Sequence, residues 1–445
     1  MELSLRSHLQ LSPDVDRTAR QVPVLIESSV GPGPDIWIIA AALIATFLKL
    51  AIAYTTIGTN DSVSFYVFAR SLAEHGLAWT YVRGAEFLPI GPIFNHPPVT
   101  AYYLQLIERL TRTEFLQACG VTFPFLLRLP GIVADFIVVA VLTRLSRTDA
   151  RCRLPLWALL FFAVSPVSLM VSGFHGNTDS VMVMFLFLAA VACIKNRALF
   201  CGLFLALSCQ VKIIPLLFFP IFFLFWSHRR EAGRFMAPFV LTNLALWWEP
   251  LSKFPVLFAK NVLLYGSFWG NWGITYWLRF THLETFSRVS FMNLSVAQTA
   301  IAILLKISII TAILGLAWRR RSLDGYAMIK SMGYAWLIFF ALSPGICPQY
   351  MVWLAPFILV FSCGLYAWLT VASSLFLFFF YNTIAHGLPW FLVVSKNSDI
   401  DACAPWALWP WVTIVIALVV LWRRAQADDS SLRLFSLNSL PGRFA

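Results

Sequence analysis

The sequence predicts an all-α, polytopic membrane protein, and three observations carry that prediction. Of the 445 residues, 59% are hydrophobic and 12% charged, against roughly 45–50% and about 25% in ordinary soluble domains. About twelve segments are apolar over most of the ~19–20 residues that a bilayer-spanning helix needs. Arginine and lysine collect in the short connections between these segments, as cytoplasmic loops do. Backbone in hydrocarbon must satisfy its own hydrogen bonds, which makes segments this apolar helices, and the alternating short segments of a transmembrane β-barrel are not found.

Taken in chain order, residues 1–35 mix Arg6, Arg17 and Arg20 with acids, prolines and glycines. They lack the order of a cleavable signal peptide and read as a cytoplasmic tail. The transmembrane domain is expected over 36–422, its first span running from Ile36 to about Tyr54. Residues 56–127 form the first outer loop and the longest break in hydropathy. Ser62, Phe65, Tyr66, Ala69, Leu72 and Ala73 recur there at helical spacing, as do Tyr102, Tyr103, Leu106, Ile107 and Leu110 after Pro97-Pro98, which predicts two amphipathic surface helices. Further spans are expected near 129–145, 154–172, 178–194, 199–226 (two short helices broken around Lys212 and Pro215), 235–251, 295–318, 326–342, 350–366, 368–386 and 406–422. A second large outer loop covers 252–294, and 423–445 reads as a second cytoplasmic tail.

The basic clusters at Arg144–Arg153, Lys195 with Arg197, Arg229–Arg234, Arg319–Arg321 and Arg423-Arg424 fall on one side if both ends are cytoplasmic. The formal charge of +12 is then a topological signal and not a nucleic-acid surface. The turns at 173–178, 343–349 and 387–405 join the two large loops on the opposite face. The eight cysteines have neither zinc nor redox spacing, and Cys347 and Cys403 both lie in outer loops, with their pairing left open. No internal repeat is found, which disfavours transporters built from duplicated bundles.

Several polar residues stand out against this apolar background. Asp61 directly follows the first span and suits either a helix N-cap or a general base that takes a proton from a hydroxyl. His96, in Asn95-His96-Pro97-Pro98, suits a group titrating near neutrality that meets a phosphate or an acceptor hydroxyl. In the turn Phe174-His175-Gly176-Asn177-Thr178-Asp179, Asp179 suits a cap, whereas His175 and Asn177 exceed what a turn requires. Lys212 is a charge at membrane depth, which needs a partner or a function, and phosphate is one candidate partner. The turn Ser343–Tyr350, with Gln349 and Tyr350 at its end, opens a helix whose free N–H groups suit an anion. Asp399 and Asp401 make a single DxD, too little to predict a metal. There is no P-loop, HExxH, dinucleotide fingerprint or GxSxG.

In this order, the residues resemble the GT-C superfamily of multi-pass glycosyltransferases that use lipid-phosphate sugars. The resemblance runs through Asp61, His96-Pro97-Pro98-Val99-Thr100-Ala101-Tyr102, Arg128-Leu129-Pro130 to Asp135, Gly173–Asp179, Lys212-Ile213-Ile214-Pro215, Trp272-Gly273-Ile274 and the Ser343–Tyr350 turn. The stretch from His96 to Tyr102 is most similar to the dolichyl-phosphate-glucose glucosyltransferases, although only Ala385-His386-Gly387 stands where those enzymes carry a longer histidine motif. What the resemblance implies is a hexosyltransferase of the bacterial inner membrane or the endoplasmic reticulum, active on the extracytoplasmic or lumenal face. Its donor would be a polyprenyl- or dolichyl-phosphate sugar, its acceptor a glycan or lipid-linked hydroxyl, and its surroundings membrane lipid. Transfer would invert the anomeric centre with Asp61 as base; Lys212, Arg279 or His386 would stabilise the leaving phosphate, with no metal or other cofactor. A lipid or solute transporter or flippase is the competing class, and it leaves the ordered first loop with an acid at its membrane entry unexplained.

Overall fold

The computed structural model describes residues 34–84, 93–264, 269–287 and 294–437. The tail expected over 1–35 lies almost wholly outside the described residues. Past residue 423 the final helix continues to Leu437 where a tail was expected. Among the described residues the chain is helical apart from one two-residue bridge, in which β1 (Gly58–Thr59) pairs in parallel with β2 (Leu392–Val393).

Each expected span has a helix. In chain order they are α1 (Pro34–Thr55), then α2 (Asn60–Arg83) and α3 (Pro98–Thr111) in the first loop, and α4 (Phe123–Thr148). Next come α5 (Leu156–His175), whose last turns from Leu169 are π-helical, α6 (Asp179–Ile194) and α7 (Ala198–Val211). A 3-10 turn, Ile214–Phe218, leads into α8 (Phe219–His228), followed by α9 (Ala232–Leu246), α10 (Val296–Arg320) and α11 (Gly325–Leu342). A second 3-10 turn, Pro348–Val352, precedes α12 (Ala355–Phe361), α13 (Cys363–Ile384) and α14 (Ala404–Leu437).

Seven of these helices are long and apolar enough to cross a membrane: α1, α4, α5, α10, α11, α13 and α14. The expected count of about twelve included segments that fold as shorter apolar helices. These are α6, α7, the Ile214–His228 unit and Pro348–Phe361, and the expected span at 235–251 is the 15-residue α9. They are short because polar turns interrupt them, and those turns build the site. The break foreseen at Lys212 and Pro215 is real: Lys212 is extended (φ −145°, ψ 150°), and Pro215 opens the 3-10 turn.

One end of the bundle gathers the basic loops. Arg229 donates to the Leu323 carbonyl at 2.8 Å, Arg151 pairs with Asp324 at 2.5 Å, and Gly325 lies against the Cys193 carbonyl. The C-terminus of α1, the N-terminus of α4, the π-turns of α5 and the C-terminus of α7 all point to the other end. In the first loop, α2 and α3 pack on one another around Phe65, Phe68, Leu72, Leu104 and Ile107, forming a small core separate from the main one. All eight cysteines are free, Cys347 and Cys403 among them.

Candidate active site at the end of the bundle opposite the basic loops

Asp61 sits in the first turn of α2, but it is not the N-cap. Thr59 caps the helix, accepting from the Asp61 N–H at 3.3 Å, and this frees the carboxylate to face the bundle. Its Oδ2 accepts three bonds: from Asn177 Nδ2 at 2.7 Å, His175 Nε2 at 3.2 Å and Gln349 Nε2 at 3.2 Å. Its Oδ1 meets no donor among the described residues, and 29% of the side chain remains exposed. His175 Nδ1 lies 2.7 Å from the Tyr381 hydroxyl. The tautomer that satisfies both contacts carries its proton on Nε2, donates to Asp61 and accepts from Tyr381. Burial raises the Asp61 pKa, but the hydrogen bond and electrostatic pull of His175, the charge of Lys212, and Asn177 together hold it below the usual carboxylate value.

The same turn that holds Asp61 also builds a second pair. Asp179, the first residue of α6, is fully buried. Its Oδ1 binds Lys212 Nζ at 2.8 Å and accepts from Trp353 Nε1 at 2.5 Å, while its Oδ2 is buried without a partner among the described residues. The anionic partner of Lys212 is therefore Asp179 in the protein itself, where the sequence reading held phosphate open. Lys212 also lies 5.7 Å from the ring centroids of Tyr350 and Trp353, which stack at 3.9 Å. Two short segments thus stitch the site. Residues 175–179 supply His175 and Asn177 to Asp61 and Asp179 to Lys212, while 349–353 supply Gln349 to Asp61 and the stacked rings to Lys212.

Arg128, near the start of α4, fastens this end together. It is completely buried and has no carboxylate partner among the described residues. It donates to Thr56 Oγ1 at 2.9 Å, to the Thr56 and Gly173 carbonyls at 3.1 Å each, and to the Ile57 carbonyl. A cation at the C-terminus of α1 meets the negative end of the helix dipole, and it binds α1 to the π-turns of α5. Close approach then demands two glycines. A Cβ on Gly58 (φ +100°) would lie 2.4 Å from the Phe174 carbonyl, and one on Gly176 (φ +83°) 1.9 Å from Ser62 Oγ. About two helical turns deeper, or roughly 10 Å, Lys49, Asp135 and Ser168 form a triangle with all three contacts at 2.6 Å.

The structure thus brings together Asp61, His175, Asn177, Asp179, Lys212, Gln349 and Tyr350. His96 borders them, since the start of α3 is tied to the end of α7 by Thr100 donating to the Gln210 and Val211 carbonyls. Its ring packs on Phe65 and Phe94, and burial with the nearby Lys212 charge pushes its pKa down to about 3. His96 is therefore neutral, and the expectation that it titrates near neutrality is corrected. Two other candidates lie apart. Arg279 pairs with Asp401 at 2.7 Å and stacks over Tyr276, clasping the second outer loop to the last one. His386 is an exposed residue at φ +58° just beyond α13, without a side-chain bond among the described residues. The Ser343–Tyr350 turn is buried, and the N–H groups of Ser343, Ile346 and Tyr350 already serve the carbonyls of Phe339, Asn271 and Cys347. It is a structural tie and not the open anion cradle its sequence suggested.

Sequence reasoning missed Lys49, Tyr381 and Trp353. Lys49 carried the same signal as Lys212, a charge inside an apolar span. The two aromatics carried none, being two among 70 aromatic residues: 40 Phe, 18 Trp and 12 Tyr.

No family model matches the chain, and no curated protein matches it. Among solved structures it is similar to ArnT from Cupriavidus metallidurans in the apo state, with 15% identity and a TM-score of 0.48 over 88% of this chain and 72% of that one. It is also similar to ArnT from the same organism bound to undecaprenyl phosphate, with 14% identity and a TM-score of 0.42 over 92% of this chain and 81% of that one.

Proposed function

We propose that this chain is a membrane glycosyltransferase of the GT-C type. It transfers a hexose, with inversion, from a lipid-phosphate sugar to a hydroxyl of a glycan or lipid-linked acceptor. The reaction takes place on the extracytoplasmic or lumenal face of a bacterial inner membrane or the endoplasmic reticulum.

One observation carries this reading. Asp61 has one carboxylate oxygen fixed by three donors and the other without a donor among the described residues, beside a lysine held by a second carboxylate. In the proposed step the acceptor oxygen forms a bond to the anomeric carbon as its proton passes to Asp61 Oδ1. The bond from that carbon to the phosphate oxygen breaks, and its electron pair leaves with the lipid phosphate. A carboxylate held below its usual pKa is ionised throughout the neutral range, and it receives the proton late, as bond formation makes the hydroxyl acidic. Lys212 lies within electrostatic reach of Asp61 and is suited to the charge that grows on the leaving phosphate. The order of motifs from Asp61 to Tyr350 supports the same reaction class, and the stretch His96–Tyr102 supports a dolichyl-phosphate glucose as donor.

The test is transfer from a radiolabelled lipid-phosphate sugar by purified protein and by its Asp61→Asn variant. Asn keeps the shape and three-donor neighbourhood of the residue. The variant should remain folded and bind donor while losing about 10²–10⁴-fold in rate, the scale of general-base assistance. Substantial turnover in a folded variant removes Asp61 as the base. Wild-type protein that moves labelled lipid across vesicles but never transfers sugar would point to the flippase class instead.

A further inference from the structure

Lys306 has no role in the site as described, and it is the intramembrane cation whose position most needs a reason. It lies within α10, three positions before Ile309 and seven before Ile313, both buried, and so it shares their inward stripe. The lipid-facing stripe of the same helix is a different one, marked by Ile303, Leu304, Ile307 and Ile310. Lys306 is half-buried. Among the described residues it has neither a hydrogen bond nor an ion pair, whereas Lys49 and Lys212 each hold a carboxylate, at 2.6 and 2.8 Å. An inward, uncompensated ammonium at membrane depth is expensive and marks a functional position by default.

Its depth matches that of the site. Arg229 bonding to the Leu323 carbonyl sets the ends of α8 and α10 side by side. Counting from that end, Lys306 is roughly 21 Å up α10 at ~1.5 Å per residue. On the neighbouring unit, α8 rises about 14 Å, and the 3-10 turn Ile214–Phe218 covers the next ~10 Å at about 2 Å per residue. Lys306 therefore stands at the level of the turn that follows Lys212, and α10 packs directly against both α8 and that turn. Where α10 meets the turn, Lys212 immediately precedes the turn in sequence and Lys306, without a partner among the described residues, lies across from it at the same level.

We propose that Lys306 is the receiving cation for the phosphate of a lipid-linked donor, which enters from the bilayer between α10 and the Ile214–Phe218 turn and is passed to Lys212. This deepens the donor class proposed above and rests on it. A phosphate on a lipid approaches from the membrane with its tail still in hydrocarbon, which suits an inward lysine on the outermost helix. A free phosphate would have to cross that hydrocarbon.

The test uses full-length protein in detergent with three probes: a polyprenyl phosphate, the polyprenol of equal length, and inorganic phosphate. Lys306→Met, Lys306→Arg and Lys212→Met are compared with wild type. Lys306→Met should bind the polyprenyl phosphate about tenfold more weakly, the effect of losing one charge-assisted contact. Lys306→Arg should stay near wild type, and polyprenol binding should be unchanged. Thermal stability of Lys306→Met should be equal or higher, since no bond is lost.

Unchanged polyprenyl-phosphate affinity in Lys306→Met, alongside a loss in Lys212→Met, overturns the role of Lys306 and leaves the donor class standing. An equal loss for the polyprenol reveals a packing defect and also overturns it. Inorganic phosphate bound as tightly as the lipid overturns the lipid source. Wild-type protein that binds no polyprenyl phosphate overturns the donor class and this inference together.

Discussion

Replacing Arg128 by methionine keeps an unbranched, apolar side chain of similar reach and removes every bond made by its guanidinium. Four carbonyls lose this donor, those of Ala53, Thr56, Ile57 and Gly173. Thr56 Oγ1 also loses this donor but keeps a partner, because it donates to the Ile52 carbonyl at 2.6 Å. A buried carbonyl left unsatisfied costs about 1–3 kcal/mol, so four give at least about 4 kcal/mol. Removing a buried charge offsets part of any larger sum. Lysine restores the charge at the end of α1 but cannot reach all these acceptors at once, so Arg128→Lys should recover about half of the loss. Unfolding in detergent, followed through the fluorescence of the 18 tryptophans, gives the ranking wild type, Arg128→Lys, Arg128→Met. Turnover should fall in the same order, because the segment Arg128 pins leads within a few residues to Asp61. An Arg128→Met protein as stable as wild type, or a lysine variant no better than methionine, would refute the clamp.

Three further outcomes follow from the same geometry. Lys49→Met leaves Asp135 as an unpaired buried charge and should destabilise by about 3–5 kcal/mol, whereas Lys49→Met with Asp135→Leu should recover most of it; an additive double variant in the same unfolding assay contradicts the pairing. Gly176→Ala adds a Cβ 1.9 Å from Ser62 Oγ at a φ of +83°, costing about 2 kcal/mol or more, and Ser62→Ala should relieve the clash but not the backbone term of about 1 kcal/mol. The Asp61 pKa is depressed, so the rate that depends on its ionised form persists above the ordinary carboxylate value and is lost only as pH falls through the lower folded value. Removing the leading depressing contact with His175→Leu should move that acid limb to higher pH in a pH–rate profile, and a limb that stays or moves down counts against the assignment.

The helices were legible because a bilayer sets a length and a composition that few other folds share. The break near Lys212 was legible for a second reason, since Pro215 has no N–H to give and would interrupt any helix running through Lys212. Polar residues of the site were legible wherever they interrupted apolar runs, as His175, Asn177 and Lys212 do. Partner choice was not. Nothing in the local sequence says that Lys212 pairs with Asp179, a residue that also suits a simple cap. Nor does it say that His96 lies between Phe65 and Phe94 and stays neutral. Arg279 and His386 were chosen for the charge their chemistry offers, and charge type alone does not fix where a loop residue lands. Gln349 reached Asp61 by a different route from the one its turn suggested. The turn is buried, and the side chain, not the backbone, makes the contact.

The two-residue bridge between Gly58-Thr59 and Leu392-Val393 is small, but it sets a calendar for the nascent chain. Asp61 is made early, next to the first helix. Its neighbours His175 and Asn177 are synthesised more than a hundred residues later, Gln349 later still, and the strand that closes over Gly58 almost last. Until residue 393 has left the ribosome, the segment carrying the acid has a helix on one side and no lid on the other. Contacts this distant in sequence assemble slowly, and exposed intermediates persist while they do. A chain interrupted before α13 would insert many of its helices and still lack Tyr381 and the strand that pairs with Gly58, so the surroundings of this carboxylate are not complete until the protein is nearly finished.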